Sequence, residues 1–163
     1  MMNPRHVVIL LLVWALLQVF TGTQGFRRRD VRRNIKRIAD SYNGSTRWSY
    51  SSRYETGRNT NKCNIFVADV IDEAGGSVPH RWWGLSGPIG AREWGNPSSS
   101  YLTSDSCWTN LQTGSEGDVI AGGGHVGIVT GLEMTTSAAH YSVVKNDWGY
   151  RPGQIVTFWR YTC

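Results

Sequence analysis

"GDVIAGGGHVGIVTG", residues 117 to 131, is the stretch whose reading decides the fold. A Val/Ile-rich run begins at His125, directly after the three glycines Gly122 to Gly124. β-Branched residues suit the pleated, half-buried surface of a sheet, and glycines permit tight reversals and close backbone approach. Downstream, "TTSAA" (135 to 139), "YSVVKND" (141 to 147) and "GQIVTFWRYTC" (153 to 163) are further short strand-forming runs separated by turn residues. The last third of the chain therefore predicts an antiparallel meander of about four strands.

Upstream of this block the periodicity changes. In "TNKCNIFVADVIDEAGG" (60 to 76), Phe66, Val67, Val70, Ile71 and Ala74 recur at intervals of three and four before Gly75 and Gly76. That spacing predicts a helix over 61–74, with Asn61 as its cap. Residues 43 to 59 form a polar connector. Residues 77 to 113, including "HRWWGLSGPIGAREWGNPSSS", are dense in Gly, Pro, Ser and Trp and read as long ordered loops with short helical turns. Helix first and sheet second predicts an α+β fold, with N-terminal helices packed on an antiparallel sheet of about four to six strands.

The first 25 residues carry Arg5 and His6, an apolar run from Val7 to Phe20, and the small polar tail Thr21 to Gly25. This is the pattern of a cleaved signal peptide, and the run is shorter than the roughly 20 residues a membrane-spanning helix needs. A secreted, extracellular protein without a membrane anchor is expected. The remainder is sized for one domain. Basicity is concentrated in "FRRRDVRRNIKR" (26 to 37), where seven Arg or Lys face one Asp. Val31, Ile35, Ile38, Ala39 and Tyr42 follow helical spacing, so residues 26 to 42 read as a basic amphipathic arm, with Asp30 as a cap and residues 43 to 163 as the domain proper. The arm is a solvated helix face, a trimmed pro-segment, or an electrostatic attachment to an anionic bacterial surface. Nucleic acid is a poor match, because the basic residues are not interleaved with aromatics.

Three cysteines occur, Cys63, Cys107 and Cys163. An odd count in an oxidising compartment leaves one thiol free or paired between chains. A Cys107–Cys163 bridge would pin the C-terminal strand to the loop region and leave Cys63 free. At the front of its helix, Cys63 would meet free backbone N–H groups and the positive end of the helix dipole, which favour a thiolate. The competing reading is a small buried cysteine on a core helix. His125, held rigidly at the start of a strand 62 residues later, supplies the base that a thiol nucleophile requires.

A helix-front Cys, an apolar helix and a "GHVGIV" strand together resemble the papain-like peptidoglycan amidases of the NlpC/P60 and CHAP type. Across "NKCNIFVADVIDEAGG", "AREWGNP", "GHVGIVTG" and "NDWGYRPGQ", the chain resembles the second family of type VI secretion amidase effectors, in a domesticated form behind a eukaryote-like signal peptide. The resemblance spans about residues 55 to 155. It implies a papain-like fold and an antibacterial hydrolase of innate immunity whose substrate is bacterial peptidoglycan. The implied target is the stem-peptide cross-link between D-alanine and meso-diaminopimelate. It also implies that "AREWGNP" lines the substrate groove.

Cys63 and His125 are the expected catalytic pair, and neither a metal nor another cofactor is called for, since the His and Cys spacing matches no zinc site. A monomer is expected. In the wider family a polar residue about a dozen positions after the His, on the next strand, orients the imidazole. Counting forward reaches Ser137, and antiparallel pairing about a turn at Gly131 to Glu133 brings Ser137 to Ala139 opposite His125. His140, Asn146 and Asp147 are the alternatives, although Asp147 suits a turn and Trp148 the core. Trp82, Trp83 and Trp94 suit either stacking on a ligand or the core, with the core favoured. Two rival functions remain: a non-catalytic envelope- or glycan-binding defence protein, and a host-directed thiol protease or transamidase, whose usual signature is absent.

Overall fold

The computed structural model describes residues 31–82 and 86–163. Residues 1 to 25, read above as a signal peptide, residues 26 to 30 of the arm with Asp30, and Trp83 lie outside the described residues. Among the described residues four helices, α1 (31–41), α2 (Cys63–Glu73), α3 (Ala91–Trp94) and α4 (Ser100–Thr103), precede or flank six strands. These are β1 (Trp108–Leu111), β2 (Val119–Gly122), β3 (His125–Gly131), β4 (Met134–Ala138), β5 (Val143–Asn146) and β6 (Thr157–Tyr161). All pairings in the sheet are antiparallel, in the order β1-β6-β2-β3-β4-β5. The fold is α+β with an open six-stranded antiparallel sheet.

The expected meander is β2 to β5. The C-terminal run departs from it: β6 returns across the sheet to pair with β2, and β1 adds beyond β6. β1 lies inside the segment read as loop. Its four residues, Trp-Thr-Asn-Leu, are too short to declare a period-2 pattern.

Gly122 faces His125 in the register, and Gly123 and Gly124 make the two-residue turn between β2 and β3. Both have positive φ, 56° and 80°, as a tight hairpin turn of this kind demands. Gly122 is fixed for another reason, because a Cβ there would stand 2.3 Å from the carbonyl oxygen of Ile155.

Successive strand residues serve two layers. Val119, Ala121, Val126, Ile128, Trp159 and Tyr161 join the main core with α2, while Ile120, Val129 and Phe158 join a smaller cluster completed by Leu111, Trp148, Tyr150 and Val156. Helix α2 buries Ile65, Phe66, Val67, Val70 and Ile71 and packs on β3 and β4. The helical spacing read in the arm is real, and its apolar stripe does more than follow the surface. Ile35, Ile38 and Ala39 are buried in the same core as α2, so α1 is packed into the domain.

Ion pairs fasten α1. The fully buried Asp118 carboxylate accepts hydrogen bonds from Arg160 Nε (2.9 Å) and Nη2 (2.7 Å) and from the Ser115 backbone N–H (2.8 Å). Arg32 of α1 approaches the same carboxylate at 3.4 Å. Asp40 pairs with Lys36 (3.2 Å) and with Lys145 of β5 (2.9 Å). These two pairs hold the Asp40 carboxyl below its ordinary value, although burial opposes them.

Both sheet edges are managed. Residues 44 and 45 bond to Val143 on β5, Gly44 N–H donating to its carbonyl and its N–H donating to Ser45, each at 2.8 Å. At the other edge a Cys107–Cys163 disulfide and a Thr162 N–H to Cys107 carbonyl bond (2.8 Å) tie the chain end to the start of β1. The disulfide is the one read from the cysteine count, and Cys63 is the free thiol.

Candidate active site

Helix α2 begins at Cys63 itself. Its cap is Lys62, with no side-chain cap hydrogen bond, so Asn61 does not play the capping role expected of it. Lys62 replaces that device with another. Its side chain is 2% exposed, and Nζ donates to the carbonyls of Gly57 (2.7 Å), Thr60 (3.2 Å) and Ser49 (3.3 Å) and to Thr60 Oγ1 (3.0 Å). A cation at a helix N-terminus opposes the dipole. Here the ammonium gathers the connector beneath the first turn of α2 and so fixes the position of the next residue, Cys63.

The Cys63 thiol is 5% exposed. The backbone N–H groups of Val126, Asn64 and Cys63 itself face it and act to lower its pKa. The Val126 N–H belongs to the peptide linking it to His125, so the thiol abuts the start of β3. Burial nevertheless outweighs these three donors and pushes the thiol above its ordinary value. The thiolate expected from the helix-front position is therefore not the resting form. The dipole and amides lower the cost of forming it without making it the resting form of the buried sulfur.

His125 is the first residue of β3 and half-buried. Burial depresses its pKa below the ordinary imidazole value, which keeps the ring neutral at pH 7. Nε2 shares a hydrogen bond with Ser137 Oγ at 3.0 Å. β3 and β4 pair Ile128 with Thr136 and Val129 with Thr135 around the turn, as the 12-residue count anticipated. Gly127 makes the approach possible: a Cβ there would lie 2.8 Å from Ser137 Cβ and 2.6 Å from Thr135 Cγ2. The edge of the Trp148 indole meets the imidazole at a centroid distance of 4.6 Å and an interplanar angle of 87°.

The alternatives to Ser137 are engaged elsewhere. The His140 ring stacks on Tyr50 at 4.8 Å. Asn146 Oδ1 accepts the Trp148 backbone N–H at 3.0 Å, and Asp147 forms an exposed ion pair with Arg151 at 2.6 Å. Asp147 is thus in a turn region as expected, and the half-buried Trp148 packs against the smaller core cluster while also meeting His125. Trp94 is buried, whereas Trp82 is 74% exposed and left-handed, with φ 53°, which overturns the core reading for that residue. Trp82 and Tyr101 line a cleft of about 550 Å³ with His80, Ser100 and Ser104.

Two shallow depressions adjoin the glycine turn before His125 and share Gly122, Gly123 and Ile155. Ala91, Arg92 and Gly95 border one, and Trp148, Gln154 and Val156 border the other. "AREWGNP" and "NDWGYRPGQ" therefore meet across the turn. The glycine run and strand start located His125, and the family resemblance, checked by antiparallel pairing, located Ser137, but no local signal located Lys62 or Trp148, whose roles depend on chain segments distant in sequence.

Fold and site together define an α+β protein that gathers a buried free thiol, a neutral imidazole and a serine hydroxyl at one end of the central strand. Comparison with family models, with curated proteins and with solved structures finds no match.

Proposed function

We propose that the protein is a secreted, cysteine-dependent peptidoglycan amidase with a papain-like, NlpC/P60-type arrangement, acting on the stem-peptide cross-link between D-alanine and meso-diaminopimelate. The observation that carries this reading is the Cys63 thiol seated against the His125–Val126 peptide, with His125 held by Ser137 from the neighbouring strand. A structural cysteine needs no such imidazole, and a structural histidine needs no such thiol.

Burial keeps thiol and imidazole both neutral at rest. Proton transfer from Cys63 Sγ to His125 accompanies attack of sulfur on the scissile carbonyl carbon. The Cys63 backbone N–H, which has no intrahelical partner at the helix start, stabilises the oxyanion as the carbonyl oxygen gains negative charge. The protonated His125 gives its proton to the leaving amine as the C–N bond breaks, leaving a thioester on Cys63. His125 then takes a proton from water, the hydroxide attacks the thioester, and the carboxylic acid departs with regeneration of the thiol. Ser137 is a positioning residue throughout.

The aromatic cleft formed by Trp82 and Tyr101 favours a second reading, a non-catalytic glycan- or envelope-binding protein. Cross-linked peptidoglycan digested with the wild type and with Cys63→Ala, with fragments resolved by mass, separates the two. Conversion of dimeric muropeptides to monomers by the wild type alone supports the amidase. Sacculus binding by both proteins with cleavage by neither supports the binding protein.

A further inference from the structure

The groove around the Gly122–Gly124 turn carries one formal charge. Its described lining is Gly122, Gly123, Gly124, Gly95, Ala91, Ile155, Val156, Thr157, Trp148, Gly153 and Gln154, together with Arg92, and it contains no acidic side chain. Arg92 is exposed and has no carboxylate partner among the described residues. The acid next to it in sequence is already taken: Glu93 receives Arg81 Nε at 3.0 Å and Nη2 at 2.7 and 2.8 Å, and it also accepts the Gly90 N–H at 3.1 Å. Arg92 thus retains its charge and its donors for a molecule in the groove.

The platform beneath it is rigid. Trp94 is buried, its carbonyl accepts Trp159 Nε1–H at 2.8 Å, and the Gly95 carbonyl accepts the Thr157 hydroxyl at 3.2 Å. On the opposite side, Gly123 and Gly124 have open space where a Cβ would stand, so a ligand backbone can approach the turn that leads into His125. A glycine floor suits an extended peptide, and a lone guanidinium beside it suits a carboxylate, which its planar fork can grip with two parallel hydrogen bonds.

We infer that this groove is a peptide subsite in which Arg92 recognises a free carboxylate of the substrate, making Arg92 a specificity-determining residue. The inference rests on the amidase reading and adds that the substrate must be an acidic stem peptide, ionised next to the scissile region. Amidation of that carboxylate removes the charge that Arg92 selects.

The test is binding, so that it does not depend on turnover. Cys63→Ser protein is titrated calorimetrically with a synthetic acidic stem peptide and with the same peptide carrying carboxamides in place of its free carboxylates. The expected result is about tenfold weaker binding of the carboxamide form, at the lower end for a charge-assisted hydrogen bond because the groove is open to water. Adding Arg92→Ala should bring the two peptides to equal affinity, Arg92→Lys should retain part of the preference, and Arg92→Glu should reverse it. Arg92 is exposed, so an unchanged thermal midpoint checks the fold of each variant. A carboxylate preference that survives Arg92→Ala, or failure of both peptides to bind, overturns the inference. Carboxylate-selective binding combined with no hydrolysis by the wild type leaves the subsite standing and removes the amidase reading; hydrolysis of both peptides alike does the reverse.

Discussion

Replacing Lys62 with Met keeps the length of the side chain and removes its ammonium. The four acceptors around Nζ suggest a large loss, but three have other partners. The Ser49 carbonyl also accepts the Ser52 N–H at 3.1 Å, the Gly57 carbonyl accepts the Thr60 hydroxyl at 2.8 Å, and Thr60 Oγ1 also bonds Thr56 Oγ1 at 2.7 Å. The Thr60 carbonyl is the acceptor left bare. One unsatisfied buried carbonyl costs about 1–3 kcal/mol, and relief of the ammonium's desolvation offsets part of the lost charged bonds. We expect Lys62→Met to destabilise the domain by about 1–3 kcal/mol, a fall in Tm of roughly 4–12 °C for a domain of this size. Thermal and urea unfolding followed by circular dichroism measure both quantities. A loss above about 5 kcal/mol would mean that the four contacts act independently, and no loss would mean that the ammonium is not a clamp; either refutes the reasoning.

Further expectations concern the site and the anchoring of α1. Because burial raises the Cys63 thiol, iodoacetamide should label it more slowly than free cysteine at pH 7, with a midpoint above the ordinary thiol value. The same shift stabilises the fold below that ordinary value and is lost as pH rises towards the folded one, so Tm should decline on the alkaline side and decline less in Cys63→Ala. His125 is depressed, so it disfavours protonation in the fold: stability is lost as pH falls through its folded value, and the acid limb of a kcat/KM profile on muropeptides should lie below the ordinary imidazole value. Ser137→Ala removes one neutral hydrogen bond to the imidazole, worth about 0.5–1.5 kcal/mol, and should lower kcat/KM about 2- to 12-fold with KM little changed. Asp118→Ala leaves Arg160 and Arg32 without their shared carboxylate and should cost about 3–5 kcal/mol in urea unfolding, while a salt-insensitive loss below 1 kcal/mol would show that the pair does not anchor α1.

Legibility in the sequence followed the range of the interaction concerned. Ser137 was reached through the family resemblance, and strand pairing about a turn at Gly131 to Glu133 agreed in placing it near His125. The apolar faces of α1 and α2 were legible from local periodicity. The position of β6 between β1 and β2 was not, since nothing in "GQIVTFWRYTC" distinguishes one edge of a sheet from an interior slot. Lys62 carried no signal in the sequence, because its acceptors are mostly carbonyls, which any sequence would supply, brought together by the path of the connector. Trp148 read as core, which its packing against the smaller cluster supports in part, but its contact with His125 was not visible. The thiolate expectation weighed the helix dipole correctly, but it lacked the depth of burial, which proved the larger effect.

The disulfide at the β1 edge and the thiol under β3 place two oxidation states of sulfur in one small chain. Such a pair ordinarily invites shuffling, in which a thiolate attacks along the sulfur–sulfur axis and transfers the bond to a new partner. Here β2 stands between β6, the strand that leads to Cys163, and β3, the strand next to the thiol. Across strands about 4.8 Å apart, that spacing alone puts the sulfurs beyond in-line reach. Burial also keeps Cys63 protonated, and a protonated thiol is a poor attacker. Once folded, the chain is locked into a single isomer without help from a redox partner. Mild external reductants should open Cys107–Cys163, whose terminal cysteine is exposed, while Cys63 remains a spectator to the exchange.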